Sequence, residues 1–378
     1  MAKKENNQRQ LKGYYGFQKK YPSRRGERPI HETRKAKKRE RNRKILFGVF
    51  LCCLFISVFI FSRFCYNLST RPLDNDKQDS SSSTVTADNI GSVRAIYIDN
   101  SLLNDSNELP DFLNQASKNG FNAVLLDFKT RDGVLTYDSN LISYSDSQKR
   151  NEIDYNIIEK IKSEGFLVLG RIYCFEDTIA PQRLNAYVYE NVEKTRIWFD
   201  DSAITGGRVW LDPTNQRATD YLTSVINEIT DSGVDCVYLE SVQFPESRIG
   251  AVPVYTEDDT KLNRNLVLME FIEKAVSAAN GRPVILGVPS ECIDEGNIEK
   301  WGGTLFDTPA HMCSPLLEAP KDGNYIEYIE NSYLVLNDKS KNNFSTVKVI
   351  PTIKNPVENQ EFYENIALSK AESYIIIP

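Results

Sequence analysis

Residues 234–247, VDCVYLESVQFPES, form a short apolar run that carries one acidic residue, Glu240, among hydrophobic neighbours and stops at Phe244-Pro245. A run of this composition reads as a strand buried on both faces. Its flanks set the pattern. Before it, RATDYLTSVINEITDSG (217–233) has helical spacing and a closing glycine; after it come NLVLMEFIEKAVSAANG (265–281), a second helix, and PVILGVPS (283–290), a second apolar strand.

The same alternation runs through the rest of the body. VRAIYID (93–99) is a strand, ELPDFLNQASKNG (108–120) a helix, and NAVLLDFK (122–129) a strand with a small hairpin, DGVLTYDS (132–139), on its loop. IDYNIIEKIKSEG (153–165) is a helix with Ile153, Ile157 and Ile161 on one face, leading into the strand FLVLGRIYCF (166–175) and a long excursion to RVWLDPTNQ (208–216). Later come a weak strand, HMCSPLL (311–317), a helix over 325–337, the strand VKVIPTIK (347–354), a helix over 361–372 and the last strand, SYIIIP (373–378). Eight apolar strands with helices between most of them predict an α/β fold, a (β/α)8 TIM barrel. A doubly wound sheet is the alternative, but its usual nucleotide motifs, GxGxxG after the first strand and GxxxxGK[ST], are missing.

Charge divides the chain. Residues 1–44 carry seventeen Lys and Arg against four Asp and Glu, a net +13, so the remainder carries −6 − 13 = −19. The basic arm runs directly into ILFGVFLCCLFISVFIF (45–61), seventeen residues without a charge, with Arg63 just beyond. At about 1.5 Å per residue this spans most of a ~30 Å hydrocarbon core, and residues 45–64 read as one transmembrane helix. A cleaved signal peptide fits less well, because the basic region is too long and no small-x-small site follows. The basic excess predicts a cytoplasmic N-terminus and an extracytoplasmic body; a nucleic-acid arm is the less favoured reading of the same run. Residues 65–91 are a Ser-rich linker with too few large apolar residues to form a core, so the barrel is expected over 92–378.

Cysteine and histidine narrow the chemistry. Cys174, Cys236, Cys292 and Cys313 form no CxxC pair and read as buried small residues, with a bridge between Cys174 and Cys236 left open. The only histidines are His31, in the arm, and His311, which leaves no histidine-rich zinc site and one possible triad histidine. No metal or cofactor is expected.

In a barrel of this kind, chemistry sits at the C-terminal strand ends. Asp127, Glu176-Asp177, Glu240 and Glu291 all fall at such ends and would present carboxylates to one mouth, the acid and nucleophile or base of glycoside hydrolysis. Plainer roles compete: Asp127 in an ion pair with Lys129 or Arg171, Glu176-Asp177 in a solvated loop, Asp212 in a cap before the 217–233 helix, and Glu291 at a helix start. Tyr97, Tyr137, Tyr173, Trp210 and Tyr238 are candidates to stack on sugar.

Four segments together resemble a family of bacterial envelope proteins, described as a domain of unknown function of the glycoside hydrolase type with a TIM-barrel fold distantly related to alpha-amylases. LLDFKTRDGVLTY (125–137), GFLVLGRIYCFED (165–177), VWLDPTNQRATDY (209–221) and YLESVQFPES (238–247) carry the likeness. The resemblance implies a hydrolase-like barrel over 92–377, with Asp127, Arg171, Asp212 and Glu240 at motif positions. Glu240 stands where the family has Asp, and Ser241 and Gln243 where it has Tyr and Arg. VKVIPTIKN and HMCSPLLEAP lack its later aromatic residues. The clan implies a strand-four nucleophile or base, here Glu240, and an acid one strand on, here Glu291. Asp127 would orient sugar, with Arg171, Asp212, Tyr238, Trp210 and Tyr173 binding it. Hydrolysis of an envelope or extracellular polysaccharide is the first expectation; a non-catalytic barrel that binds carbohydrate or organises the envelope is the second. Oligomeric state is not encoded legibly.

Overall fold

The computed structural model of the chain describes residues 85–105, 107–139, 141, 153–202, 204–257, 262–290, 297–304, 308–318, 348–354, 362 and 371–378. The arm, the membrane segment expected over 45–64, Glu291, the helix expected over 325–337 and most of that over 361–372 lie outside these residues. Among the described residues no helix is long and apolar enough to cross a membrane. The chain divides into two units, Met1–Ser81 and Ser82–Pro378, and every described residue belongs to the second.

Eight parallel strands close on themselves. They are β1 (Arg94–Tyr97), β2 (Ala123–Lys129), β3 (Leu167–Tyr173), β4 (Cys236–Glu240), β5 (Val284–Pro289), β6 (Met312–Glu318), β7 (Lys348–Val349 and Thr352–Lys354) and β8 (Tyr374–Ile377). Each pairs with its sequence neighbour, and β8 returns to β1 through Arg94↔Tyr374 and Ala95↔Ile375. β7 keeps one register on β6 through its interruption, Val349↔Cys313 and Thr352↔Leu316. All eight strands fall where the alternation of apolar runs predicts.

The helices on the outside are α1 (Glu108–Lys118), α2 (Tyr155–Ser163), α3 (Ala180–Leu184), α4 (Gln216–Asp231) and α5 (Arg264–Ala278). Side-chain caps start three of them: Asp154 accepts from Ile157 N, Asn215 from Arg217 N and Asn263 from Leu266 N. Gly165 and Gly233 follow α2 and α4 with φ of 89° and 98°, the left-handed conformation that ends a helix without a Cβ clash. On α2 the fully buried positions are Ile158 and Ile161; Ile153 lies before the helix and Ile157 is only partly covered, one position off the expected stripe. The hairpin after β2 is present, with Thr130 N donating to Val134 O and Thr136 N to Phe128 O.

Because each strand is apolar on both faces, two cores form. Val93, Ala95, Leu125, Leu169, Cys236, Ile285, Met312 and Ile375 fill the barrel interior, while a larger set joins the outer strand faces to the helices. Cys174 belongs to the outer core and Cys236 to the inner. They face opposite sides of the sheet, so the bridge left open above does not form, and both are free thiols. His311 sits at the N-terminal end of the barrel, where its Nδ1 accepts from Val284 N at 3.1 Å. That places it at the end opposite the strand-end carboxylates, outside any triad with them.

Candidate active site at the barrel mouth

The last inward layer of β1–β4 is polar. Asp127 on β2 lies beside Arg171 on β3, the two being register partners. Arg171 Nε donates to Asp127 Oδ1 at 2.5 Å and a terminal guanidinium nitrogen donates to Oδ2 at 3.0 Å, a two-pronged pair. Tyr97 donates its hydroxyl to the same Oδ2 at 3.2 Å. The guanidinium lies 5.2 Å from the Tyr97 ring centre and 5.1 Å from that of Tyr173, a cation held between two aromatic faces. Burial acts against the Arg171 charge, and Asp127, with Tyr173 and Glu240 adding, outweighs it, so its pKa is raised. Burial likewise pushes the Tyr173 hydroxyl up to about 12.

Glu240 closes β4 and pairs in register with Tyr173. Its side chain lies over Gly287 of β5: a Cβ built there would stand 2.9 Å from Glu240 Oε2 and 3.0 Å from Tyr238. Glycine is therefore what gives the carboxyl its room. Burial raises the Glu240 pKa above the ordinary 4.5; Arg171 and the Ser241 backbone pull it down, and Glu176 and Asp127 push it up again. Ser241 follows with φ of 54°, unusual for a residue with a side chain. It is held there by ladder bonds on both sides, Cys174 N to Glu240 O at 2.8 Å and Phe175 N to Ser241 O at 3.3 Å.

Two adjacent carboxylates after β3 take different roles because neighbouring residues point opposite ways. Both are buried, so neither is a solvated loop residue. Glu176 reaches the mouth, where its Oε1 accepts from Arg131 Nε at 2.5 Å and Arg208 Nη1 at 3.0 Å, and its Oε2 accepts from Ser241 Oγ at 3.2 Å. Asp177 turns inward to Lys129, Nζ to Oδ2 at 2.8 Å, with both side chains fully buried. Its Oδ1 accepts from Ile179 N and Ala180 N at 2.7 Å, fixing the start of α3. Asp127 thus pairs with Arg171, and Lys129 with Asp177.

The other expected residues divide sharply. Tyr238 is buried inside the barrel, its hydroxyl 3.2 Å from Thr352 Oγ1, which in turn lies 2.6 Å from Ser314 Oγ. Trp210 is buried and donates to Asp200 Oδ2 at 3.2 Å. Asp212 accepts from Thr214 N and Oγ1 through one oxygen and from Thr256 N through the other, tying two loops together. Tyr137 packs on Phe128 and donates to Glu228. None of these four is brought to the mouth as a sugar contact: a buried, internally hydrogen-bonded side chain has no face left for a ligand. Of the five aromatic candidates, Tyr97 and Tyr173 remain at the mouth.

An open cleft of about 520 Å³ lies beside Glu240, lined by Arg131, Glu176, Glu240, Ser241, Gln243, Lys300 and Glu318 together with the ends of β5 and β6; Tyr97, Asp127, Arg171 and Tyr173 are not among its lining residues. Arg131, Arg208 and Lys300 were not singled out from the sequence. Arg131 sits two positions past β2, which was the one available signal; Arg208 and Lys300 arrive from distant loops. Among the described residues no group of His, Cys, Asp and Glu is arranged to hold a metal ion.

A family model described as "Putative glycosyl hydrolase domain" matches residues 95–289, just over half of the chain. The match takes in β1–β5 and with them Asp127, Arg171, Glu176 and Glu240. No curated protein matches the sequence. Among solved structures, a hypothetical protein from Ruminiclostridium thermocellum is similar at 19% identity and a TM-score of 0.43, over 50% of this chain and 96% of that one. The glycoside hydrolase domain of PelA from Pseudomonas aeruginosa follows at 11% identity and 0.41, over 76% of this chain and 94% of that one. Alpha-L-fucosidase isoenzyme 2 from Paenibacillus thiaminolyticus shares 14% identity and a TM-score of 0.46, over 73% of this chain but 48% of its own. Likenesses below a TM-score of 0.5 say nothing of what this chain binds or cleaves. With the family model matched across the first five barrel strands and the mouth they carry, the chain belongs to the family of glycosyl hydrolase domains that the model describes.

Proposed function

We propose that the protein is a membrane-anchored, extracytoplasmic glycoside hydrolase that acts on a polysaccharide of the cell envelope or its surroundings. Residues 45–64 are the anchor, with the basic arm in the cytoplasm. The observation that carries the enzymatic reading is Glu240: a carboxyl at the end of a barrel strand, beside an open cleft, over a glycine that makes room for it, with burial raising its pKa.

A carboxyl held neutral gives a proton, whereas one held ionised attacks or takes a proton. Burial therefore favours Glu240 as the donor to the departing glycosidic oxygen, rather than the nucleophile or base implied by the alpha-amylase clan. Glu291, two positions past β5 in the sequence, is the carboxylate we assign as its partner. Asp127 and Arg171 form the fixed floor on which the sugar is oriented.

The test compares two substrates. Glu240→Gln should lose hydrolysis of unactivated oligosaccharides by about 100-fold or more, in line with the usual size of acid catalysis, while largely retaining turnover of aryl glycosides whose leaving group needs no proton. Equal loss on both, with rescue by azide, would return Glu240 to the nucleophile role.

A non-catalytic, carbohydrate-binding barrel is the second reading. It is favoured by the occupation of Asp127 and Glu176, each held by arginine. Saturable binding of glycans by the unmodified protein, with no turnover of any of them, would select it.

A further inference from the structure

Arg131 and Arg208 converge on a single carboxylate oxygen, Glu176 Oε1, at 2.5 and 3.0 Å. The carboxylate is buried, while the Arg131 side chain is 49% exposed and lines the cleft. Two guanidinium charges therefore meet one interior negative charge. Glu176 spends its other oxygen on Ser241, so it holds the arginines in place without neutralising both. Asp132 stands 3.8 Å from Arg208 but is 66% exposed, a screened neighbour. Arg131 uses only Nε among the described residues, leaving its two terminal nitrogens, the fork that grips a carboxylate or phosphate. Lys300, from the loop after β5, lines the same cleft, and its partner Glu246 stands 3.7 Å away and half-exposed. Arg171, by contrast, gives two of its nitrogens to Asp127. The cleft also carries two further carboxyls, Glu240 and Glu318, the latter 69% exposed and paired with Lys354 at 3.4 Å, so the free fork of Arg131 is the feature that favours an anion.

We propose that the glycan taken by this mouth carries an anionic substituent, a carboxylate or a phosphate, received by the terminal nitrogens of Arg131, with the charge of Arg208 close by on the shared Glu176 oxygen. The inference rests on the reading of the mouth as a glycan site and names the class of glycan. A neutral sugar would accept hydrogen bonds from the same nitrogens but would gain little from their charge. An anion gains from both.

Binding separates this from hydrolysis. The full-length chain in detergent, as Glu240→Gln to silence turnover, is titrated with three probes: hexuronate oligomers, the same oligomers after carboxyl reduction, and a polyol-phosphate polymer. At least one anionic probe should bind 10-fold or more tighter than the reduced oligomer, with the preference shrinking as salt rises; which anionic probe binds identifies the source of the charge. Arg131→Gln and Arg208→Gln should each erase most of the preference, and Arg131→Lys should keep part of it, which separates lost charge from a lost fold. Equal binding of anionic and reduced oligomers, or no binding of any probe, overturns the proposal. Hydrolysis of neutral oligosaccharides by the unmodified chain in that case leaves the hydrolase reading standing. Charge-selective binding without turnover by the unmodified chain keeps this inference and removes the hydrolase reading.

Discussion

Glu240 carries the chemistry of the proposed hydrolase, and its environment makes two outcomes measurable. Because burial raises its folded pKa, the neutral form is favoured by the fold. Its contribution to stability is complete below the unfolded glutamate value of about 4.3 and is lost as pH rises through the raised folded value. If Glu240 is the proton donor, activity should fall over that same alkaline limb, and the limb should vanish from the pH profile of residual activity in Glu240→Gln. Gly287 gives an independent check. Gly287→Ala puts a methyl 2.9 Å from Glu240 Oε2 and 3.0 Å from Tyr238, closer than Cβ atoms normally approach. The protein should still fold, since Gly287 has ordinary backbone angles, at a cost of about 1–3 kcal/mol for overpacking. Hydrolysis should drop by about 100-fold, the usual penalty for displacing a catalytic group by about 1 Å. Unchanged kcat in a folded Gly287→Ala protein would show that Glu240 does not act from where it lies.

At the scale of the element, β2 and β3 end in two ion pairs with different duties. Asp127–Arg171 faces the mouth, between tyrosines. Lys129–Asp177 is fully buried, and Lys129 also donates to the Tyr173 carbonyl. A buried pair adds little against an apolar replacement, but loss of one partner strands the other charge. Asp177→Asn keeps the acceptor for the start of α3 and removes the charge, so urea denaturation should show a loss of about 3–5 kcal/mol. Adding Lys129→Met should recover much of that loss; if the double variant is no more stable than the single, the pair is not the cause. The strands themselves were readable because a parallel strand covered on both faces must be apolar throughout, and HMCSPLL and SYIIIP qualify despite their short length. The pairings were not readable. Glu176 is 45 residues from Arg131 and 32 from Arg208, and nothing local in the sequence says which of two adjacent carboxylates meets which cation.

For the whole molecule, the step from +13 to −19 at the boundary of an apolar run is the organising feature of the sequence. It predicts that the barrel stands outside the membrane on a Ser-rich linker. Protease added to intact protoplasts should remove a fragment of barrel size and leave the arm protected behind the membrane. Complete protection of the barrel would reverse the topology. Closure of the sheet through β8 and β1 is a property of the whole chain: it joins residues about 280 apart, as Arg94↔Tyr374 shows, and it is what turns scattered strand ends into one mouth.

The sequence by itself determined the eight strands, their parallel order and the end of the barrel at which carboxylates gather. Each of these follows from burial of apolar surface, which leaves a local periodic trace. The tertiary structure alone decided which polar residues share that end. Trp210, Asp212 and Tyr238 carry the right chemistry for a sugar site but spend it on interior hydrogen bonds, while Arg131 and Lys300 come to the cleft, and Arg208 to Glu176, from separate segments. Such choices depend on distance and desolvation between groups far apart in the chain, and those quantities exist only once the barrel has closed.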